Sequence, residues 1–313
     1  MDYTHLGRSG VSVSRLCLGT MNFGASTDAD TSHQIMDRAL EHGINFFDSA
    51  NTYGRPRAEG VTEQIIGSWL AAGRGRREQI VLATKLYGGK GEWPNDRFLS
   101  ALNIRRACDA SLRRLGTDHI DLYQMHHVDR ATPWAEIWEA MQVLRAQGKI
   151  IYAGSSNFAG WHIAQAQEAA RRRGMLGLVS EQSLYNLAAR TVELEVLPAC
   201  QGYGVGVLPW SPLHGGLLGG ILRKEKGGRS AGGRAAEALG VPAIRAQIEA
   251  YEAFCGQLGE DPADVGLAWL LHQAAVTAPI VGPRTVGQLE GSLRALKVTL
   301  DETSLAALDE IFP

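Results

Sequence analysis

The chain is short of several things that would otherwise classify it. Its 313 residues include only four cysteines, Cys17, Cys108, Cys200 and Cys255, far apart and with no C-x-x-C pair. They read as reduced, mostly buried thiols of a cytoplasmic protein rather than as a disulfide framework. No apolar run approaches the roughly 18 residues of a membrane span. The N-terminal MDYTHLGRSG is polar and has no secretion-signal core. Excess charge is missing too: the formal net charge is −2, which offers nucleic acid or an anionic membrane no global attraction. Neither G-x-G-x-x-G nor G-x-x-x-x-G-K-[ST] occurs, which argues against a doubly wound nucleotide-binding sheet and a P-loop. There is no H-E-x-x-H and no spaced Cys/His set, so no metal is expected, and the adjacent His126 and His127 do not read as a metal pair.

What is present is an ordinary globular composition, 45% hydrophobic and 20% charged, with ample core. Length alone would allow two domains, but α/β barrels reach this size as one. Tyr3 to Arg15 alternates loosely around Gly7 and Gly10 and reads as a hairpin. Short apolar strands then alternate with helical stripes. The strands are expected at Leu16–Gly19, Ile44–Phe47, Gln79–Thr84, His119–Met125, Lys149–Ala153, Leu176–Glu181, Val205–Pro209 and Ala278–Val281. Between them lie stripes such as Ile104, Cys108, Leu112 and Leu115, or Ile137, Trp138, Met141 and Leu144. Trp134, Trp138 and Trp269 read as packing residues. Thr31 and Gln34 suggest a capping box, Thr285 and Gln288 a second, and Asp261-Pro262 a helix start. Leu213 to Gly240, rich in Gly, Arg and Lys, is too long for a plain connection and reads as a lid or mobile loop after the seventh strand. Eight β/α units imply a parallel α/β fold, best a single (β/α)8 barrel over residues 1–313.

All strand C-termini of such a barrel meet at one face, where chemistry sits. Just beyond the strands stand Thr20 and Asn22, Asp48 and Tyr53, Lys85, His126, Ser155 and Asn157, Gln182, then Trp210 and Ser211. Taken alone, Asp48 reads better as an N-cap or turn acid, Tyr53 as a residue packed on the surface, and Lys85 as a solvated one. Their common phase with the strands is what points to a site. A free tyrosine has a pKa near 10. A nearby lysine would lower it, an aspartate would serve as counter-charge for that lysine, and a neutral histidine would orient a carbonyl. Together they make an acid that protonates an oxygen as hydride reaches the adjacent carbon.

The chain closely resembles the aldo-keto reductase superfamily over essentially its full length. The matching pieces are LCLGTMNFG, INFFDSANTYG, LATKL, HIDLYQMHH, IYAGSSNFA, EQSLYN, LPWSPLHGGLL and VGPRTVGQL, in that order. The resemblance implies a catalytic tetrad of Asp48, Tyr53, Lys85 and His126, with Tyr53 the acid. It implies NADPH as cofactor, with Ser155, Asn157 and Gln182 on the nicotinamide carboxamide and Trp210 stacked on the ring. Gly19, Thr20, Met21, Asp48, Ser211, Pro212, Leu213, Gly215 and Gly282 complete the cofactor's expected surroundings. Arg284, Thr285, Gln288 and Ser292 fall at the adenosine end, Arg284 favouring the 2′-phosphate of NADPH. Where the family often has an acidic residue and an asparagine, this chain has Gly291 and Ser292, which weakens the expected adenine contacts. HIDLYQMHHVDRATPW, GSSNFAGWHIAQAQE and WSPLHGGLLGG resemble more particularly the reductases of macrolide deoxysugar pathways, implying a nucleotide-activated keto-deoxyhexose.

The expected function is thus NADPH-dependent reduction of a small-molecule carbonyl, with no nucleic-acid or membrane partner. Trp93, His127 and the loop after Trp210 are expected to hold substrate. Three alternatives stay open: a broad detoxifying carbonyl reductase, a slow NADPH-sensing partner subunit, and an isomerase or aldolase using Lys85 without nicotinamide.

Overall fold

A computed structural model describes residues 1–55, 59–73, 75–89, 93–226 and 234–313. The chain opens with the antiparallel hairpin β1 (Tyr3–His5) and β2 (Ser12–Ser14), with Tyr3 opposite Ser14. Eight parallel strands follow: β3 (Cys17–Gly19), β4 (Phe46–Asp48), β5 (Val81–Leu86), β6 (Ile120–Met125), β7 (Ile150–Ser156), β8 (Leu178–Leu184), β9 (Gly206–Trp210) and β10 (Ile280–Val281). Their order in the sheet is β10-β3-β4-β5-β6-β7-β8-β9. The two ends nearly meet: just ahead of β10, Thr277 N–H donates to Val207 O of β9 at 2.9 Å, and Val207 N–H donates to Ala275 O at 3.1 Å. The result is the expected (β/α)8 barrel.

Helices α1 (Ala29–Glu41), α2 (Val61–Ala71), α3 (Ala101–Leu115), α4 (Trp134–Ala146), α5 (Gly160–Arg171) and α6 (Val196–Tyr203) fill the connections as far as β9. After β9 come the short α7 (Ile221–Lys226) and α8 (Arg234–Leu239), then α9 (Pro242–Leu258) and α10 (Pro262–His272); α11 (Val286–Leu293) and α12 (Glu302–Ile311) follow β10. The strands are buried on both faces, which is why they read as apolar runs rather than as alternation. One face packs on the helices through Leu18, Phe47, Leu82, Tyr123 and Leu178. The other fills the barrel with Cys17, Phe46, Val81, Ala83, Leu122 and Leu208, joined by Leu6 and Val13 of the hairpin. The hairpin therefore stoppers the N-terminal end. Gly7 allows this contact: it has φ +54, and a Cβ there would lie 2.4 Å from Val179 O.

Two local expectations change. The helix after β3 starts at Ala29, ahead of Thr31, because Asp28 caps it; Asp28 Oδ1 accepts from Thr31 N–H at 2.8 Å, and no Thr31–Gln34 box forms. The stretch from Leu213 to Gly240 is not a plain loop in its described parts. Leu217, Leu218, Ile221, Ala235 and Leu239 are buried in the core and anchor α7 and α8. The rest of that expected lid, 227–233, lies outside the described residues. Thr285 caps α11 as expected, but the Thr285–Gln288 box does not close, because Gln288 Oε1 accepts from Arg284 N–H instead of Thr285 N–H. Pro262 opens α10, and Trp138 and Trp269 are buried while Trp134 packs against the core, as expected. All four cysteines are free and buried. Among the described residues no helix is long and apolar enough to cross a membrane.

Candidate active site

β4 ends on Asp48, and the chain turns over the C-terminal mouth of the barrel. Asp48 pairs with Gly19 on one side and Ala83 on the other. Its carbonyl accepts from the Thr20 backbone N–H at 3.0 Å and from the Thr20 hydroxyl at 2.9 Å. Two strand residues on, Lys85 of β5 points into the barrel with no exposure at all. Its ammonium donates to Asp48 Oδ2 at 2.5 Å, to Ser49 O at 2.9 Å and to the Tyr53 phenol at 3.1 Å, so all three protons are used. Nζ also lies 4.8 Å from the centroid of the Tyr53 ring. Tyr53 is held from both sides of its peptide, by its N–H on Ala50 O and by Thr62 N–H on its own carbonyl. Gly54 then turns away at φ +95, where a Cβ would fall 2.7 Å from Val61 Cβ.

Electrostatics follow from burial. Burial pulls Lys85 down, but the Asp48 carboxylate and the Tyr53 oxygen outweigh it, and the ammonium stays above its ordinary range. For Tyr53 burial is the largest influence and raises the phenol. Lys85 pulls against it and does not win. The expectation that Lys85 brings Tyr53 below the ordinary tyrosine range is therefore corrected, because a phenolate here would lose its solvation. Tyr53 is a phenol that keeps its proton.

The second oxygen of Asp48 is also engaged. Oδ1 accepts from Gln124 Nε2 at 2.9 Å and from Gln182 Nε2 at 3.0 Å. Gln124 escaped the sequence reading, yet its signal was available: Leu122, Gln124 and His126 share one phase of β6, and a polar residue in that row faces the site. His126 follows β6, its N–H on Leu86 O at 2.9 Å, with its ring edge-on to Tyr53 at 5.9 Å between centroids. His127 stacks parallel on it at 5.2 Å, Tyr87 meets His127 at 5.2 Å, and Phe98 meets Tyr87 at 5.3 Å. Burial holds the His127 imidazole below its ordinary range. Asn157, in the left-handed region at φ +59, donates to His126 O at 3.2 Å and accepts from Trp210 Nε1 at 3.1 Å. One hydrogen-bonded line thus joins the Asp48–Lys85–Tyr53 group to Gln124 and Gln182, and the Asn157–Trp210 pair adjoins it through His126.

The expected Ser155 does not join this group. Its hydroxyl donates to Glu181 Oε2 at 2.5 Å, on the helix side of the sheet. Ser156 takes the place, donating to Gln182 O at 2.8 Å and accepting from Asn157 Nδ2 at 2.9 Å. The alternation Gly154, Ser156 inward and Ser155 outward is the reason: a Cβ on Gly154 would meet Ser180 Oγ and Gln124 Cγ. The other expected cofactor residues stand just past or at the ends of β3, β9 and β10 and on α11. Met21 stands exposed on the rim, and Gly19 packs tightly on Ile280. Ser211, at φ +54, accepts from Gly215 N–H at 3.1 Å and shapes the turn with buried Pro212 and half-buried Leu213. Asn22 donates to Gly282 O at 2.8 Å, tying β10 to the mouth. Arg284 is exposed, and its N–H donates to Gln288 Oε1 at 2.8 Å while Thr285 Oγ accepts from Gln288 N–H at 3.2 Å. Ser292 donates to Gln288 O at 3.1 Å.

Buried His214 Nδ1 in the Ser211–Gly216 turn has no partner, and neither has Oδ1 of Asn51, whose backbone N–H donates to Lys85 O. The first turn of α11 beside Arg284 offers backbone N–H groups and a cation to a phosphate. Trp93 is 77% exposed. No group of three or more His, Cys, Asp and Glu is arranged to hold a metal ion among the described residues.

Comparison with known proteins agrees with this geometry. The family model described as "Aldo/keto reductase family" matches residues 15–312. The uncharacterized oxidoreductase YrpG of Bacillus subtilis is 53% identical, over 100% of this chain and 96% of its own length. A probable voltage-gated potassium channel subunit beta of Arabidopsis thaliana is 33% identical, over 95% of this chain and 92% of its own. Norsolorinic acid reductase B of Dothistroma septosporum is 31% identical, over 100% of this chain and 82% of its own.

Proposed function

The chain belongs to the aldo/keto reductase family, a family of oxidoreductases acting on carbonyl groups with NAD(P)H, and from that premise we propose that it is an NADPH-dependent reductase of a ketone or aldehyde. The observation that carries this is the fully buried Lys85 bridging Asp48 and Tyr53 at the mouth of the barrel. Bound nicotinamide supplies the hydride. Everything else falls to the chain. Tyr53 holds its proton, because burial keeps the phenol above its ordinary range, and gives it up only to an oxygen gaining charge. Lys85 stabilises the phenolate left behind, and Asp48 keeps Lys85 charged. His126, backed by the parallel His127, orients the carbonyl from the other side of Tyr53. Asn157, Gln182 and Ser156 would hold the nicotinamide carboxamide, and Trp210, pinned through its indole N–H to Asn157, would stack on its ring.

Exposed Arg284 supports NADPH over NADH. Arg284→Ala should weaken NADPH binding about tenfold or more and leave NADH nearly unchanged, as fits loss of a charge-assisted contact. For the substrate we propose a nucleotide-activated keto-deoxyhexose. The support is the resemblance of HIDLYQMHHVDRATPW, GSSNFAGWHIAQAQE and WSPLHGGLLGG to macrolide-pathway reductases. The cytoplasm is the proposed compartment, supported by four free, buried cysteines. The test of the mechanism is Tyr53→Phe. NADPH should still bind, while reduction across a panel of ketones, aldehydes and keto-sugars falls by about 10²–10⁴, the usual worth of a placed general acid. Reduction at the wild-type rate would end the mechanism. The channel-subunit relative favours one rival, a slow NADPH-sensing subunit. Rapid turnover on any member of the panel discards it, and uniform rates across the panel would replace the sugar specialist by a broad carbonyl reductase.

A further inference from the structure

Glu181 is a buried carboxyl that the chemistry above does not use. It lies on β8 beside Gln182 and has no exposure. Gln182 faces the barrel interior and Asp48, while Glu181 faces the helices. Its Oε1 accepts from Phe158 N–H at 3.0 Å and from the Ser183 hydroxyl at 2.8 Å. Its Oε2 accepts from the Ser155 hydroxyl at 2.5 Å. Burying a carboxyl is costly unless hydrogen bonds satisfy it, and these three donors do so while tying Glu181 to what surrounds it. What it holds is the turn after β7. Phe158 directly follows Asn157, and Asn157 sits in the left-handed region, which asparagine tolerates better than most residues, so the Phe158 N–H bond to Glu181 fixes the outgoing side of that turn. Asn157 in turn fixes the Trp210 indole and the His126 carbonyl.

We propose that Glu181 is a positioning residue for the cofactor platform: its Oε1 clamps Phe158 N–H, and through Asn157 it sets the Trp210 ring and the floor beneath His126. The proposal rests on the reductase reading. It assigns a role to Glu181 that needs one oxygen and not a charge. Glu181→Gln retains an oxygen for Phe158 and Ser183 and turns its amide toward Ser155, whose hydroxyl has Ser180 O within 3.4 Å as an alternative acceptor. Glu181→Met fills similar volume and leaves Phe158 N–H buried without a partner.

The experiment is a double-mutant cycle on NADPH affinity, read by calorimetry, with thermal unfolding to confirm that each variant is folded. Glu181→Met should raise the NADPH Kd about tenfold, as expected for one lost buried hydrogen bond. Glu181→Gln should stay within about threefold of wild type, because it keeps that bond. In an Asn157→Ala background, Glu181→Met should add less than about twofold, because the residue through which it acts is gone. Wild-type affinity in Glu181→Met, equal damage from Gln and Met, or additive effects with Asn157→Ala would each overturn the proposal. If Glu181→Met does not fold, Glu181→Leu, which likewise leaves Phe158 N–H without its acceptor, carries the same cycle. Wild-type protein that fails to bind NADPH overturns the reductase reading and this proposal with it. Wild-type protein that binds, with an additive cycle, overturns this proposal alone.

Discussion

Asp48→Asn is the substitution whose consequences the structure defines most fully. Asp48 is 2% exposed and Lys85 not at all. Their 2.5 Å contact corresponds to a gross attraction on the order of 6–7 kcal/mol at an effective dielectric near 20. Most of that offsets desolvation of the two charges. An asparagine cannot rebuild the site in either orientation. With its amide toward Lys85, donor faces donor. With its amide toward Gln124 and Gln182, two further donors lose their acceptor. Lys85 is then a buried cation without its carboxylate, and such a break costs about 3–5 kcal/mol. Chemistry suffers too. It is chiefly Asp48 that raises Lys85 against burial, so without it the lysine tends toward neutrality and Tyr53 loses the cation that steadies its phenolate. Urea denaturation should show the stability loss, and carbonyl reduction should fall by about 10²–10⁴. The double variant Asp48→Ala/Lys85→Met should recover part of the stability, since it buries no lone charge, and should remain inactive. An Asp48→Asn protein within about 1 kcal/mol of wild type and reducing at a similar rate would refute the reasoning.

Other expectations are as direct. In a pH titration followed by tyrosinate absorbance, the signal missing from Tyr53→Phe should titrate above the ordinary tyrosine range, because burial raises the phenol; a signal below that range contradicts the description of Tyr53. Glu181 is pushed up to about 7 by burial, above an ordinary 4.5, so the folded state binds its proton more tightly than the unfolded chain. The stability this contributes is fully present below the unfolded value and is lost as pH rises through the folded one, roughly 3 kcal/mol in all. Against wild type, Glu181→Gln should lack that slope in urea denaturation across this pH window, and identical slopes would contradict it. Gly7→Ala places a Cβ 2.4 Å from Val179 O at positive φ. It should cost about 2 kcal/mol or more through strain and displaced packing of the stopper hairpin, and an unchanged melting temperature would contradict the fit.

Much of this was legible in the residues. The eight short apolar runs and the helical stripes between them gave the barrel, because a parallel sheet covered on both faces has no other way to look. Asp48, Lys85 and His126 stood out because a polar residue ending an apolar strand is conspicuous. Less legible were features set by phase. Ser155 and Ser156 are chemically identical neighbours, and only the alternation of β7 separates the one that meets Glu181 from the one that meets Asn157. Asp28 could not be preferred over Thr31 as a cap without knowing where the helix axis begins. The Tyr53 phenol was misjudged for a related reason: the partner Lys85 can be read from the sequence, but how much water is excluded around the pair cannot.

The sequence by itself determined which residues end each strand, hence that an acid, a lysine, a tyrosine and a histidine reach one mouth. The tertiary structure decided which way they face. Ala153 pairs with Leu178, but the next residue, Gly154, pairs with Ser180, so β8 carries one extra residue at Val179. A bulge of that kind moves every later side chain to the opposite face. It turns Gln182 inward to Asp48 and Glu181 outward to the Phe158 turn. Nothing in VSEQS announces the bulge. It exists because neighbouring strands must stay paired around a nearly closed barrel, a constraint that no single strand contains.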